Sequence, residues 1–140
     1  MPKILIVEDS EEIRDSLAGR LQCSGFAVVL AASGKTGVEL AQTEKPDLVL
    51  MDMNMPEMDG YEASRQIKAA IGAVCPPIIA LIEPAMAGDR ERALEVGCAD
   101  SHHKPVDLPE LLGQIETLLQ NRPTAPIPLL EQDRTVIACP

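Results

Sequence analysis

Residues 47–60 read DLVLMDMNMPEMDG. The opening run, Asp47–Met51, is apolar without alternation, as expected of a strand covered on both faces. Asp52 follows it. Pro56 marks a loop over Asp52–Met58, and beyond Gly60 the residues Tyr61, Ile67 and Ile71 fall at helical spacing. A buried strand that ends on a carboxylate and then turns into a helix is the unit from which the rest of the chain can be read.

The same unit recurs on either side. Upstream, Lys3–Val7 reads as a buried strand, and Ser10 is placed to cap a helix with Ile13, Leu17 and Leu21 on its apolar stripe. Gly25 stops that helix. Ala27–Ala31 is a second strand, Ser33 opens a helix through Val38 and Ala41, and Pro46 follows its end. Downstream, Pro77–Ile82 is a fourth strand, a helix ends near Gly97, and Asp100–His103 is the weakest strand of the set. Asp107 and Glu110 have capping-box spacing before a stripe of Leu111, Leu112, Ile115, Leu118 and Leu119. Five strands alternating with five helices predict an α/β domain, a doubly wound parallel sheet with helices on both faces. Its ligand site is expected beyond the carboxyl ends of the strands, where the strand order reverses.

The helical pattern ends near Gln120. The unit is therefore expected to span 1–121, with 122–140 a Pro-rich C-terminal tail holding Pro123, Pro126, Pro128 and Pro140. Such a stretch reads as extended chain, though Leu129–Leu130 and Val136–Ile137 are apolar enough to dock, for instance on a neighbouring molecule.

Composition narrows the function. A net charge of -10 argues against a surface for nucleic acid, whose phosphates require Lys and Arg, so no direct DNA binding is expected. No apolar run approaches the roughly 20 residues of a membrane-spanning helix. Cys23, Cys75, Cys98 and Cys139 form no C-x-x-C pair, which speaks against a zinc knuckle or redox motif and for a reducing, cytoplasmic location. With only Phe26 and Tyr61 as aromatics, the core is expected to be aliphatic.

Glu8 and Asp9 end the first strand and Asp52 the third. Parallel neighbours bring their carboxyl ends together, so three carboxylates should converge. Each like-charged pair at 4 Å costs about 4 kcal/mol at an effective dielectric near 20. A hard divalent cation such as Mg²⁺ offsets this with oxygen ligands, and Lys104 at the end of the fifth strand adds a positive charge. Taken singly these features are bland: an acidic pair at a strand end is often a solvated helix start, Lys-Pro says little, and Met51, Met53, Met55 and Met58 read as packing.

Together, VEDS at 7–10, LVLMDMNMPEMDG at 48–60 and KP at 104–105 resemble the receiver domain of bacterial two-component response regulators. The resemblance covers roughly residues 2–121. It implies a flavodoxin-like sheet of strand order 2-1-3-4-5, with Asp52 as phosphoacceptor. Asp9 would bind Mg²⁺ directly and Glu8 through water. Asn54 would contribute its backbone carbonyl. Lys104 would pair with Asp52 and then with phosphoryl oxygens, while Pro56 and Gly60 shape the loop and the helix start. Implied partners are a histidine kinase or phosphotransfer protein and a downstream protein target. With no output domain after residue 121, the signal is expected to pass by protein–protein contact. Receivers often pair through the fourth-helix, fifth-strand and fifth-helix face, so a homodimer is one arrangement the resemblance allows.

Two positions depart from the pattern. Receivers usually carry Thr or Ser at the end of the fourth strand, followed by a small residue, and Tyr or Phe in the fifth. Here IIALIEPAM places Ile82, then Glu83 and Pro84, and GCADSHHKP places Ser101. A hydroxyl on a phosphoryl oxygen is worth roughly 1.5–3 kcal/mol, and Ile82 cannot supply it. The usual switch is expected not to operate, and Glu83 would repel a phosphoryl group if it faced the pocket. This leaves a phosphorylation-independent interaction module or a phosphate sink as alternatives. A metal-dependent phosphatase using Asp52 and Asp59 would need a substrate pocket and cap that the chain lacks the length to build. His102 and His103 should point to opposite faces and so cannot readily share one metal.

Overall fold

The computed structural model describes residues 2–55, 57–83 and 89–120. The expected tail, Cys139, Pro56 and Pro84 lie outside them. In chain order the elements are β1 (Lys3–Val7), α1 (Glu11–Cys23), β2 (Ala27–Ala31), α2 (Gly34–Thr43), β3 (Leu48–Asp52), α3 (Gly60–Ile71), β4 (Ile78–Ile82), α4 (Asp89–Glu95), β5 (Asp100–His103) and α5 (Leu108–Gln120), with a single 3₁₀ turn at Gly72–Val74.

All strand pairs are parallel and the sheet order is β2-β1-β3-β4-β5. The order reverses between β1 and β3, which is where such sheets leave a crevice. Every residue of β3 and β4 is buried, which explains the unbroken apolar runs. One core layer holds Val7, Val49, Met51, Ile78, Ile82, Tyr61 and Ile67. The other holds Ile6, Leu50, Leu81, Leu17, Leu21, Leu111 and Ile115.

Helix starts follow the expected caps. Ser10 accepts from the Ile13 amide, Ser33 from Thr36 and Asp107 from Glu110. Asp59 caps α3 by accepting from the Glu62 amide at 2.9 Å, so its carboxylate is spent on the helix start.

Asp52 closes β3 as expected, in register with Leu81 of β4, so the loop read over Asp52–Met58 begins one residue later. Two further expectations are corrected. Ile13 is 42% exposed rather than in the core. On α5 only Leu111 and Ile115 are fully buried, and Leu112, Leu118 and Leu119 pack at the margin. The sheet covers a narrower arc of each helix than the apolar stripe spans.

Candidate functional site

The strand ends are held together by backbone. Ladder bonding continues past them: Glu8 N–H donates to Ala31, Met53 N–H to Leu81 and Lys104 N–H to Ile82. Side-chain alternation then turns Asp52, following Leu48 and Leu50, toward the layer of α1 and α5.

Asp52 is 1% exposed and Glu8 2% exposed. Carboxylate oxygens of Glu8, Asp9 and Asp52 all lie within 4.8 Å of one another, with Asp9 at the surface. Asp52 Oδ1 accepts from Lys104 Nζ at 2.9 Å and from the Asn54 amide at 3.1 Å. Glu8 Oε2 accepts from the Ser10 amide at 3.1 Å, and Arg14 Nη1 donates to the Glu8 carbonyl at 2.9 Å. Glu8 Oε1 is buried with no hydrogen bond and sits 3.6 Å from Lys104 Nζ.

The electrostatics follow from this crowding. Burial, and then the charge of Asp52, push the Glu8 carboxyl from 4.5 up to about 7, against the Ser10 amide and Lys104. Burial by itself would lower Lys104, but its hydrogen bond to Asp52 and the charges of Asp52, Glu8 and Glu83 outweigh that and raise it. One ammonium does not satisfy three converging carboxylates. The orphaned Glu8 oxygen and an all-oxygen donor set fit a hard divalent cation such as Mg²⁺, not a soft one.

The structure brings Glu8, Asp9, Asp52 and Lys104 together as expected. The exposed Asn54 enters through its amide. Gly60 is required by close approach: a Cβ there would lie 2.4 Å from the Asp52 carbonyl oxygen. Ile82 is wholly buried in the core. Ser101 is buried beside Ala80 and accepts from Arg90 Nη1 at 3.0 Å, so a polar tie to α4 stands where receivers usually carry an aromatic ring. His102 is buried on the α5 side, with Nδ1 2.7 Å from Gln114 Oε1 and Nε2 accepting from the Asp107 amide. His103 is exposed. The two are divided between faces, as alternation requires.

Sequence reading missed Arg14 and Gln114. Gln114 donates to Asp100 Oδ2 and to the Ser101 carbonyl. No motif flags either residue. Each acts through groups that only the fold brings near.

Comparison with known proteins agrees with this geometry. The family model for the response regulator receiver domain matches residues 4–116. Response regulator MprA of Mycolicibacterium vanbaalenii is 35% identical over 118 residues, 84% of this chain and 50% of its own. The chain thus spans about half the length of that relative. The polar-differentiation response regulator DivK of Brucella anthropi is 33% identical over 120 residues, covering 85% of this chain and 98% of DivK. Among solved structures, the receiver domain of the sensor histidine kinase PA1611 from Pseudomonas aeruginosa is 36% identical with a TM-score of 0.78, covering 86% of this chain and 98% of that one. It carries a magnesium ion coordinated in its active-site cleft.

Proposed function

As this chain belongs to the response regulator receiver domain family, we propose that Asp52 accepts a phosphoryl group from a histidine kinase or phosphotransfer protein and that the signal passes on by protein–protein contact. The observation that carries this reading is the buried Asp52 carboxylate held by Lys104 Nζ at 2.9 Å, beside Glu8 and Asp9.

The chemistry falls to named groups. The Asn54 amide and the Lys104 ammonium hold Asp52 Oδ1, so that the other carboxylate oxygen meets the phosphorus atom with little reorganisation. Lys104 exchanges its bond to Asp52 for one to a phosphoryl oxygen, offsetting charge where it develops. Asp9, Asp52 and the Asn54 carbonyl would hold Mg²⁺, with Glu8 acting through water, and the ion would supply further charge neutralisation. Receiver domains are signalling modules rather than classical enzymes. Self-phosphorylation and self-dephosphorylation at Asp52 are the most catalysis this reading asks for. Residues 1–121 form the receiver unit and 122–140 a tail in this proposal, and the location is cytoplasmic. Among the described residues no helix is long and apolar enough to cross a membrane. Neither membrane nor DNA contact is part of the reading.

Incubation with acetyl phosphate and Mg²⁺ tests it. A phosphate adduct seen by intact mass, and lost in Asp52→Asn, is expected. Absence of any adduct favours the second reading, a receiver fold used for phosphorylation-independent contact. That reading draws on the buried Ile82, which offers no hydroxyl, and on Ser101, tied to Arg90. A phosphate sink would form the adduct yet keep the same partners in both states.

A further inference from the structure

Glu83 follows Ile82 at the carboxyl end of β4, and its side chain faces the site. Its Oε2 lies 3.6 Å from Lys104 Nζ, while the side chain stays 47% exposed. Glu83 and Lys104 also line a cavity of about 650 Å³ with Ile13, Leu17, Arg20, Leu81 and Val106, which adjoins the acidic site without including Glu8, Asp9 or Asp52 in its lining. Half-exposed and close to Lys104 Nζ, Glu83 adds a partly solvated negative charge beside the Asp52–Lys104 pair. Lys104 is shared among three carboxylates: Asp52 at 2.9 Å, Glu8 at 3.6 Å and Glu83 at 3.6 Å. Asp9 is the fourth acid nearby.

Resting on the reading of Asp52 as phosphoryl acceptor, we propose that Glu83 is a specificity-determining residue that disfavours small free phosphoanions as donors. Two effects act together. Its charge, only partly screened by solvent, repels a phosphate dianion that approaches Lys104 and Asp52. It also competes with the donor's oxygens for the Lys104 ammonium. A donor carried on a docked protein escapes most of this penalty, because contacts remote from the phosphorus offset a local repulsion. A small donor has no such contacts.

The step affected is simple to balance with acetyl phosphate. The Asp52 carboxylate oxygen forms a bond to phosphorus as the bond from phosphorus to the acetyl oxygen breaks. Acetate leaves with that electron pair, and no proton or redox equivalent is required. Glu83 is not a participant. It changes how often the donor reaches Asp52 with Lys104 available.

The test is the initial rate of adduct formation by intact mass, with acetyl phosphate and Mg²⁺, for wild type, Glu83→Gln and Glu83→Asp. At low salt Glu83→Gln is expected to react about tenfold faster than wild type, the low end of electrostatic steering. The gap should narrow as salt rises toward about 1 M, where the screening length is about 3 Å. Glu83→Asp keeps the charge and should stay near the wild-type rate. Equal rates for wild type and Glu83→Gln overturn the inference while leaving Asp52 as acceptor. A rate for Glu83→Asp matching that of Glu83→Gln overturns it too, since charge would then not be the cause. No adduct on any of the three removes the acceptor reading, and this inference with it.

Discussion

Lys104 Nζ donates a 2.9 Å hydrogen bond to Asp52 Oδ1, linking β5 to β3 across the end of β4, the strand that separates them in the sheet. The reach needs the four-carbon stem of a lysine. It also makes one side chain the main counter-charge for two buried acids. Removing it by Lys104→Met keeps volume but leaves Asp52 and Glu8 without that neutralisation. We expect a loss of about 3–5 kcal/mol in metal-free urea denaturation, the range for breaking a buried pair. Adding Asp52→Asn should recover part of the loss, so the double variant is less destabilised than additivity predicts.

The Glu8 carboxyl, raised to about 7 by burial and by Asp52, gives a pH signature. In the folded protein it keeps a proton that the unfolded chain releases near 4.5. Folding stability is therefore fully retained below about 4.5, falls as pH rises toward about 7, and is flat above for this group. The fall is at most about 3 kcal/mol. Thermal melts in EDTA across this window should show it, and Glu8→Gln should remove it. If Glu8→Gln keeps the same slope, the titration belongs to another group.

Ile82→Thr restores the hydroxyl that receivers usually carry, but at a wholly buried position. It deletes packing and buries an O–H, so we expect a stability cost of about 1–3 kcal/mol. If the missing hydroxyl is what disables the switch, the variant should gain phosphorylation-dependent binding of a partner recovered by pull-down. No gain would count against that explanation.

Gly60→Ala tests the geometry of the helix start. Its Cβ would meet the Asp52 carbonyl at 2.4 Å and the Met53 Cα at 2.7 Å, both backbone atoms that cannot swing aside. A cost of about 2–4 kcal/mol is expected, comparable to other overpacked or strained core sites. Mg²⁺ affinity, measured by calorimetry, should fall as well, because relief displaces the strand end that presents Asp52. Gly19→Ala serves as the control, since nothing lies within 4 Å of a Cβ there.

Much of this was legible beforehand. The strands β1, β2 and β5 fall at the bounds read from apolar runs, and the caps at Ser10, Ser33 and Asp107 sit where short polar side chains precede helical stripes. Local chemistry determines these features, so local sequence carries them. Ile13 was misplaced because periodicity marks an apolar stripe without saying how far the neighbouring sheet extends to cover it.

Residue order alone carries the alternating α/β pattern, the acids at the ends of β1 and β3, Lys104 at the end of β5, and the absence of a hydroxyl at Ile82. Which groups share a charge follows only from the assembled sheet. It placed Glu83 on Lys104, tied Ser101 to Arg90, and left one Glu8 oxygen buried without a hydrogen bond. The physical reason is the same in each case. Residue type and spacing set what a segment can do, whereas electrostatic partnership depends on distances of 3–4 Å between residues far apart in the chain, and those distances exist only once the strand order is assembled.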